Sequence, residues 1–251
     1  MITEFLIALQ FLTIIRLRNT APFAHDTLGR AGAFFPAVGF SLGVIVWGLD
    51  SVLSLFLPYS LSNIFVVAAL AWLSRGLHLD GLADSADGLL GSMDRRQSLA
   101  IMKDSRIGVF GTLALLGVVL LKLQALDLLL GGDRTQALLL SPMFARWACV
   151  VMAYKAPPAR EEGLGALFMQ GVRFREVVFA TFFTLAVGFL AAGLLNLLLL
   201  AVLAGVTLGA TRYCEHRLGG VTGDTMGAIG EIVETAAFCI FAACASHDGR
   251  Q

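Results

Sequence analysis

The chain has 251 residues, of which 57% are hydrophobic and only 14% are charged. Because soluble domains carry about a quarter of their residues as charged ones, this composition excludes an ordinary soluble protein. The formal net charge is zero, so nothing in the composition indicates nucleic acid as a partner. The simplest interpretation is a single integral membrane domain over residues 1–251.

The first apolar segment, residues 1–15, is short for a transmembrane helix and predicts a short interfacial or re-entrant helix. Gly39 and Gly43 in the next segment offer a small-residue face for close helix packing. The longer apolar segments are residues 33–57, 61–79, 107–130, 137–154, 177–211 and 226–246. The fifth would reach roughly 50 Å as one helix, so we divide it near residues 193–196. The predicted fold is all-α with about seven transmembrane helices.

The basic residues predict the orientation, since Lys and Arg in short loops favour the cytoplasmic side. With a cytoplasmic N-terminus, thirteen of the eighteen Lys and Arg residues lie in cytoplasmic segments, Arg18 among them. Only Arg134 and Arg250 fall in segments on the other side. Function is therefore expected in the cytoplasmic loops and helix ends, at residues 80–106, 155–176 and 212–234.

A first acidic motif consists of Asp80, Asp84 and Asp87 at spacing i, i+4, i+7, which places them on one face of a helix. Like charges stacked in this way repel each other unless a cation neutralises them, and Mg²⁺ prefers carboxylate oxygens. The alternative is a solvated acidic helix start, which the helix dipole favours. His78 precedes this motif and is either a proton carrier or a buried core histidine.

A second acidic motif consists of Asp224, Glu231 and Glu234, again on one helical face. Glu231 and Glu234 fall inside the last apolar segment, where ionisable groups usually face a polar cavity or a partner. The alternative is that they pair with Lys122 or Arg146, the basic residues deepest within predicted spans.

Basic residues beside glycines form a third pattern. Lys103 and Arg106 precede a predicted helix start that contains two glycines, and such starts suit phosphate. Arg160 lies in a charged, glycine-containing segment on the same predicted side, although an ordinary surface loop explains it equally well. No Walker-type phosphate loop or Cys/His metal spacing occurs, which leaves metal-assisted chemistry on a phosphate.

Several stretches, in the same order along the chain, resemble the cobalamin synthase family, the adenosylcobinamide-GDP ribazoletransferases. They are residues 8–13, 35–39, 78–88, 101–108, 160–165 and 219–228. The resemblance implies a transferase that joins adenosylcobinamide-GDP to α-ribazole, or to its 5′-phosphate, with release of GMP. It also implies Mg²⁺ and a multi-pass location in the bacterial cytoplasmic (inner) membrane.

Together, the motifs and the resemblance give a hypothesis for the site. The metal ligands are Asp80, Asp84, Asp87 and Asp224, the phosphate-binding residues are Lys103, Arg106 and Arg160, and the catalytic candidates are Asp84, His78 and Glu231. The expected partners are the two small-molecule substrates and membrane lipid, without nucleic acid. A homo-oligomer remains one alternative for the assembly.

Two other functions compete with this one. A lipid synthase of the CDP-alcohol phosphotransferase kind also uses spaced aspartates, but Leu82 and Ala83 follow Asp80-Gly81 where that family has an Ala-Arg pair. A cation-coupled transporter would place its carboxylates near the bilayer midplane. Asp80, Asp84 and their neighbours are predicted at the cytoplasmic helix ends instead, which favours an enzyme site.

Overall fold

A computed structural model describes residues 2–16 and 25–247 of the chain. Over these residues the predicted all-α fold is confirmed, because helices and turns account for the chain and no strand is formed. The helices are α1 (Ile2–Leu12), α2 (His25–Ala31), α3 (Phe35–Leu53), α4 (Tyr59–Leu73), α5 (Leu77–Gly91), α6 (Arg95–Ile101), α7 (Val109–Asp127), α8 (Gly131–Lys155), α9 (Leu164–Gly171), α10 (Phe174–Ala192), α11 (Leu194–Leu218) and α12 (Gly223–His247). A 3₁₀ turn, Gly32–Phe34, joins α2 to α3.

The described residues contain six helices long and apolar enough to cross a membrane, or seven if the bent pair α4 and α5 counts as one span. This agrees with the predicted number. The predicted division of the fifth segment is confirmed, since α10 ends at Ala192 and α11 begins at Leu194. With 11 residues, α1 is shorter than a span, as predicted. Two residues used to predict the orientation, Arg18 and Arg250, lie outside the described residues.

The structure corrects the straight span predicted at residues 61–79. Helix α4 ends at Leu73, α5 begins at Leu77, and the two axes differ in direction by 86°. Arg75 and Gly76 adopt φ angles of 57° and 66°, and this left-handed conformation cannot continue a right-handed helix. The region 80–106, predicted to hold cytoplasmic loops and helix ends, contains most of α5 and all of α6, and the three carboxylates of the first acidic motif lie on α5.

Helix α8 lies at the centre of the fold, and 89% of its most apolar 18-residue stretch is buried. Helix α3 packs on it through the predicted small-residue face. A Cβ atom added to Gly39 would lie 2.3 Å from the Pro142 carbonyl oxygen, and one added to Gly43 would lie 2.6 Å from that of Leu139. Only glycine permits such an approach. By contrast, the outer helices α7, α10 and α11 expose apolar side chains of the kind that contact lipid.

Helices α5 and α12 also approach closely, and this contact joins the two acidic motifs. A Cβ atom on Gly81 of α5 would lie 2.6 Å from the carbonyl oxygen of Asp224 at the start of α12. Gly227, one turn further along α12, faces the backbone of His78. The two small residues therefore bring Asp224 beside the acidic face of α5.

Candidate active site

The carboxylates of Asp80, Asp84 and Asp224 and the guanidinium of Arg160 form what we call the acidic cleft. Asp80 is exposed and Asp84 is partly buried one turn further along α5. The charges of Asp80 and Asp224 lie close enough to act on Asp84. Because its three carboxylates outnumber the basic side chains that line the two adjoining cavities, Arg160 and Arg75, the cleft has a net negative charge that favours a bound cation.

Arg160 is held in the cleft by the fold of its loop. The backbone N–H of Ala159 donates a hydrogen bond to the carbonyl oxygen of Val221 at 2.7 Å, which ties the loop to the segment before α12. The Arg160 guanidinium donates to Asp224 Oδ2 at 3.0 Å and to the Leu99 carbonyl oxygen at 2.9 Å. The predicted phosphate ligand thus lies beside the predicted metal ligand, and the two are paired.

Asp87 has a different role from the predicted one. Its carboxylate accepts hydrogen bonds from the backbone N–H groups of Gly108 at 2.6 Å and Gly111 at 2.9 Å. Any Cβ atom at either glycine would collide with this carboxylate. Asp87 therefore caps the start of α7, and the helix start that the sequence suggested for phosphate is occupied by a residue of the chain itself.

Glu231 also lies away from the cleft. Its carboxylate and that of Glu234 accept hydrogen bonds from Lys122 Nζ at 2.6 and 2.7 Å, and Arg146 donates to Glu234 at 2.5 Å. All four side chains are buried, and we call them the buried charge cluster. A buried carboxylate needs such a counter-charge. The predicted catalytic role of Glu231 is therefore replaced by ion pairing, which was the alternative.

His78 is buried, with 3% of its surface exposed, and its ring packs against Gly230 of α12 near Cys149. Asp84 lines a different cavity on another side of α5. The imidazole lies at the contact between α5 and α12, and it also lines a cavity together with Asp80 and Asp224. Its burial agrees with the core-histidine alternative, but its Nδ1 has no hydrogen-bond partner within the described residues, so the ring is not a fully satisfied core histidine and its catalytic role stays a prediction.

The predicted phosphate ligands Lys103 and Arg106 are exposed and lie in the segment between α6 and α7. Arg106 forms an ion pair with Asp104 at 2.6 Å, and its guanidinium lowers the pKa of the Asp104 carboxyl to about 2. Ser105 and Ile107 from the same segment line a cavity that reaches the cleft. Lys103 and Arg106 themselves line neither cavity, and their neighbours in the chain place them at the rim of the site.

Two cavities meet at Asp80, whose side chain lines both. We call the smaller cavity, of about 330 Å³, the aromatic cavity. Its apolar lining includes Phe11, Phe35, Phe168, Met169 and Met226, and its polar lining includes His78, Arg160, Thr222 and Asp224. The larger one, about 600 Å³, we call the carboxylate cavity, and it is lined by Asp80, Asp84, Arg75, Ser105, Ile107 and Leu115. Both volumes are typical of small-molecule sites.

Sequence reasoning missed Arg75 and the aromatic residues of these cavities. Arg75 stands directly before Gly76, and an Arg-Gly pair ahead of the acidic motif was the available signal for a bend there. Phe11 and Phe35 lie in stretches 8–13 and 35–39 of the resemblance, but nothing marked them as site residues among the 18 phenylalanines, and Phe168 lies in no such stretch. Only the packing of α1, α3 and α9 brings them together.

No group of three or more His, Cys, Asp or Glu side chains within the described residues is arranged to hold a metal ion. The donors nevertheless suit Mg²⁺, which is commonly held by one or two carboxylates together with substrate phosphates. Asp80 and Asp84 form such a pair, because they lie one turn apart and both line the carboxylate cavity. Asp87 is used by α7, and Asp224 is paired with Arg160.

Comparison with known proteins adds a family. A family model described as cobalamin-5-phosphate synthase matches residues 4–242. A relative from Geotalea daltonii is 40% identical over 93% of this chain and 94% of its own, and one from Syntrophobacter fumaroxidans is 41% identical over 93% and 97%. A relative from Pseudomonas paraeruginosa is 40% identical over 92% and 94%. All three are named adenosylcobinamide-GDP ribazoletransferase, and no solved structure matches.

Proposed function

The chain belongs to the cobalamin-5-phosphate synthase family, and from that premise we propose that its acidic cleft joins adenosylcobinamide-GDP to α-ribazole and releases GMP. This is an adenosylcobinamide-GDP ribazoletransferase, which acts in the final step of cobalamin biosynthesis. Family membership decides against the lipid-synthase and transporter alternatives. The observation that supports the location of the reaction is the net negative cleft where the two cavities meet.

The reaction forms a bond between a ribose hydroxyl oxygen and the phosphorus that carries the cobinamide. It breaks the bond from that phosphorus to the oxygen of GMP, which leaves as a phosphate monoester. The hydroxyl proton would go to a carboxylate that does not hold Mg²⁺, and Asp224, which lines the aromatic cavity, is placed to accept it. The remaining requirement is to hold the pyrophosphate in line with the attacking oxygen, as in other phosphoryl transfers.

Asp84, with Asp80, would hold Mg²⁺ at the pyrophosphate from the carboxylate cavity. When bound, the ion would neutralise charge on the phosphate oxygens. Arg160 orients Asp224 and adds positive charge on the opposite side of the cleft. Lys103 and Arg106 would attract the anionic donor from the rim, where exposed charges act over distance and are screened by salt.

The protein would lie in the bacterial cytoplasmic membrane with its N-terminus and its cleft toward the cytoplasm. The distribution of basic residues supports this orientation. In sealed inside-out and right-side-out vesicles, a membrane-impermeant thiol reagent should label Ser105→Cys from the cytoplasmic side and Ser60→Cys from the other side. The reverse pattern would contradict the orientation.

A homo-oligomer is not required, because the cleft lies within one chain.

The function is tested with purified protein in nanodiscs, supplied with adenosylcobinamide-GDP, α-ribazole and Mg²⁺, by measuring GMP and the cobamide product. We expect equal amounts of both from the wild type, and no product after Mg²⁺ is removed with EDTA. Asp84→Asn should reduce the rate by about a hundredfold or more, the range for loss of a group that stabilises charge in the transition state. Asp133→Asn, the same change at the far end of α8, should keep the wild-type rate.

Product formation that persists in Asp84→Asn would remove this carboxylate from the mechanism. A well-folded wild type that forms no GMP with either α-ribazole or its 5′-phosphate would contradict the function itself.

A further inference from the structure

We propose that the two cavities separate the two substrates: the aromatic cavity binds the benzimidazole base of α-ribazole, and the carboxylate cavity binds the pyrophosphate of the donor. This assignment rests on the proposed function. It specifies which substrate each half of the site recognises and where they meet.

The aromatic cavity has the shape and chemistry of a site for a flat apolar base. The rings of Phe35 and Phe168 are parallel within 3° with centroids 4.6 Å apart, and Phe11 stacks on both at 5.9 and 6.3 Å. Met169 and Met226 complete the apolar wall, and thioethers make favourable contacts with aromatic rings. Such a wall binds a substituted benzimidazole by apolar contact, mainly through the partly exposed Phe11, because Phe35 and Phe168 stack on each other and are almost fully covered.

The difference in exposure between the two ends of this cavity predicts how the ligand is oriented within it. Phe35 and Phe168 are each 1% exposed, whereas the Arg160 and Asp224 side chains are 20% and 26% exposed. The apolar end is therefore deep, and the polar end opens toward the cleft. A nucleoside with an apolar base and a polar ribose fits in one direction only, with its base inside and its hydroxyl groups beside Asp80.

The carboxylate cavity suits the other substrate. Asp80 and Asp84 supply the oxygens for a phosphate-bound cation, and Arg75, held by the bend before α5, supplies a positive charge at the same cavity. The corrin ring of the donor exceeds the volume of either cavity, so only the nucleotide and its pyrophosphate would enter. The corrin would remain outside the mouth.

Asp80 stands where the two cavities join, and Phe11, Leu77 and Leu164 are the other residues that line both. The ribose hydroxyl from one side and the pyrophosphate from the other would meet at this carboxylate. Separate cavities also predict that each substrate binds without the other, and that only donor binding needs a divalent cation.

The first test uses wild-type protein in nanodiscs without turnover. We expect α-ribazole, followed by its own fluorescence, to bind in EDTA without the donor and to be displaced by free 5,6-dimethylbenzimidazole. Binding of radiolabelled adenosylcobinamide-GDP should be lost in EDTA. If α-ribazole binding required Mg²⁺, or if dimethylbenzimidazole displaced the donor instead, the assignment would be overturned.

The second test compares two variants that place an aromatic ring in one cavity each. Ala166→Phe narrows the aromatic cavity and should raise KM for α-ribazole about tenfold or more, with KM for the donor unchanged. Ile107→Trp narrows the carboxylate cavity and should raise the donor KM alone. The opposite pattern would overturn the assignment.

GMP release by the wild type is measured alongside, which separates this inference from the function. Absence of GMP would contradict the function, whereas normal GMP release with the wrong KM changed would contradict only the division of substrates. Since Ala166 is buried, the KM values of its variant are interpreted only if its melting temperature matches that of the wild type. If it does not fold, the EDTA experiment on the wild type decides.

Discussion

The acidic cleft and the buried charge cluster are built from similar parts, and α12 contributes to both. Asp224 at its start faces the cleft, while Glu231 and Glu234, two to three turns further on, belong to the cluster. In the cluster, two carboxylates meet the two cations Lys122 and Arg146. In the cleft, three carboxylates outnumber the two arginines that line the adjoining cavities. The balance of charge, more than the helical spacing of carboxylates, therefore separates a structural group from a site that can bind a cation.

The largest expected effect comes from unbalancing the cluster. Lys122→Met removes one cation and leaves Glu231 buried without its partner, and breaking a buried pair in this way costs about 3–5 kcal/mol. We expect poor yield and a strongly lowered melting temperature in detergent. The rate per folded molecule should change little, because the cluster lines neither cavity that meets at Asp80.

The double variant Lys122→Met/Glu231→Gln is the matched control. It removes a charge of each sign, so it should recover part of the lost stability. If the single variant were as stable as the wild type, the cluster would not be the structural element that its geometry indicates.

The sequence was sufficient for the class of fold, because long apolar segments and basic loops follow directly from the cost of burying charge in lipid. It was also sufficient to select Asp80, Asp84, Asp224 and Arg160, which the fold brings together. It could not decide between a cation site and an ion pair for Glu231, since that depends on whether Lys122 of another helix lies within reach. Periodicity records which residues share a face of one helix and carries no information about the facing helix.

A second prediction concerns Asp87, which belongs to the acidic motif in sequence but not to the cleft. Asp87→Ala leaves the backbone N–H groups of Gly108 and Gly111 without acceptors, and each such loss costs about 1–3 kcal/mol. We expect a lowered melting temperature and an unchanged affinity for Mg²⁺, measured by the concentration that gives half-maximal GMP release. A large increase in that concentration would mean that Asp87 is a metal ligand after all.

A third prediction tests Arg160, the cation that is paired with Asp224 in the cleft. Arg160→Ala leaves Asp224 without its ion-pair partner and removes positive charge beside the place where the pyrophosphate would react, so the transition state should be stabilised less. We expect kcat/KM for the donor to fall roughly tenfold, equivalent to about 1.4 kcal/mol. Arg160→Lys should recover part of this loss, since it restores the charge without the second hydrogen bond to Leu99. An unchanged kcat/KM would show that the pair is as dispensable to catalysis as an ordinary surface ion pair.

The smallest effect is expected at the rim. The Arg106 side chain is 86% exposed and already paired with Asp104, so it contributes to the donor encounter mainly through a field that salt screens. Arg106→Ala should raise the donor KM no more than about threefold at low salt, and the difference should vanish near 0.5 M salt because the screening length is then only a few ångströms. Arg96→Ala, which removes an exposed arginine from α6, serves as the control for net charge. A loss of tenfold or more that persists at high salt would mean that Arg106 leaves Asp104 and contacts phosphate directly, and the boundary of the site would then have to include the segment between α6 and α7.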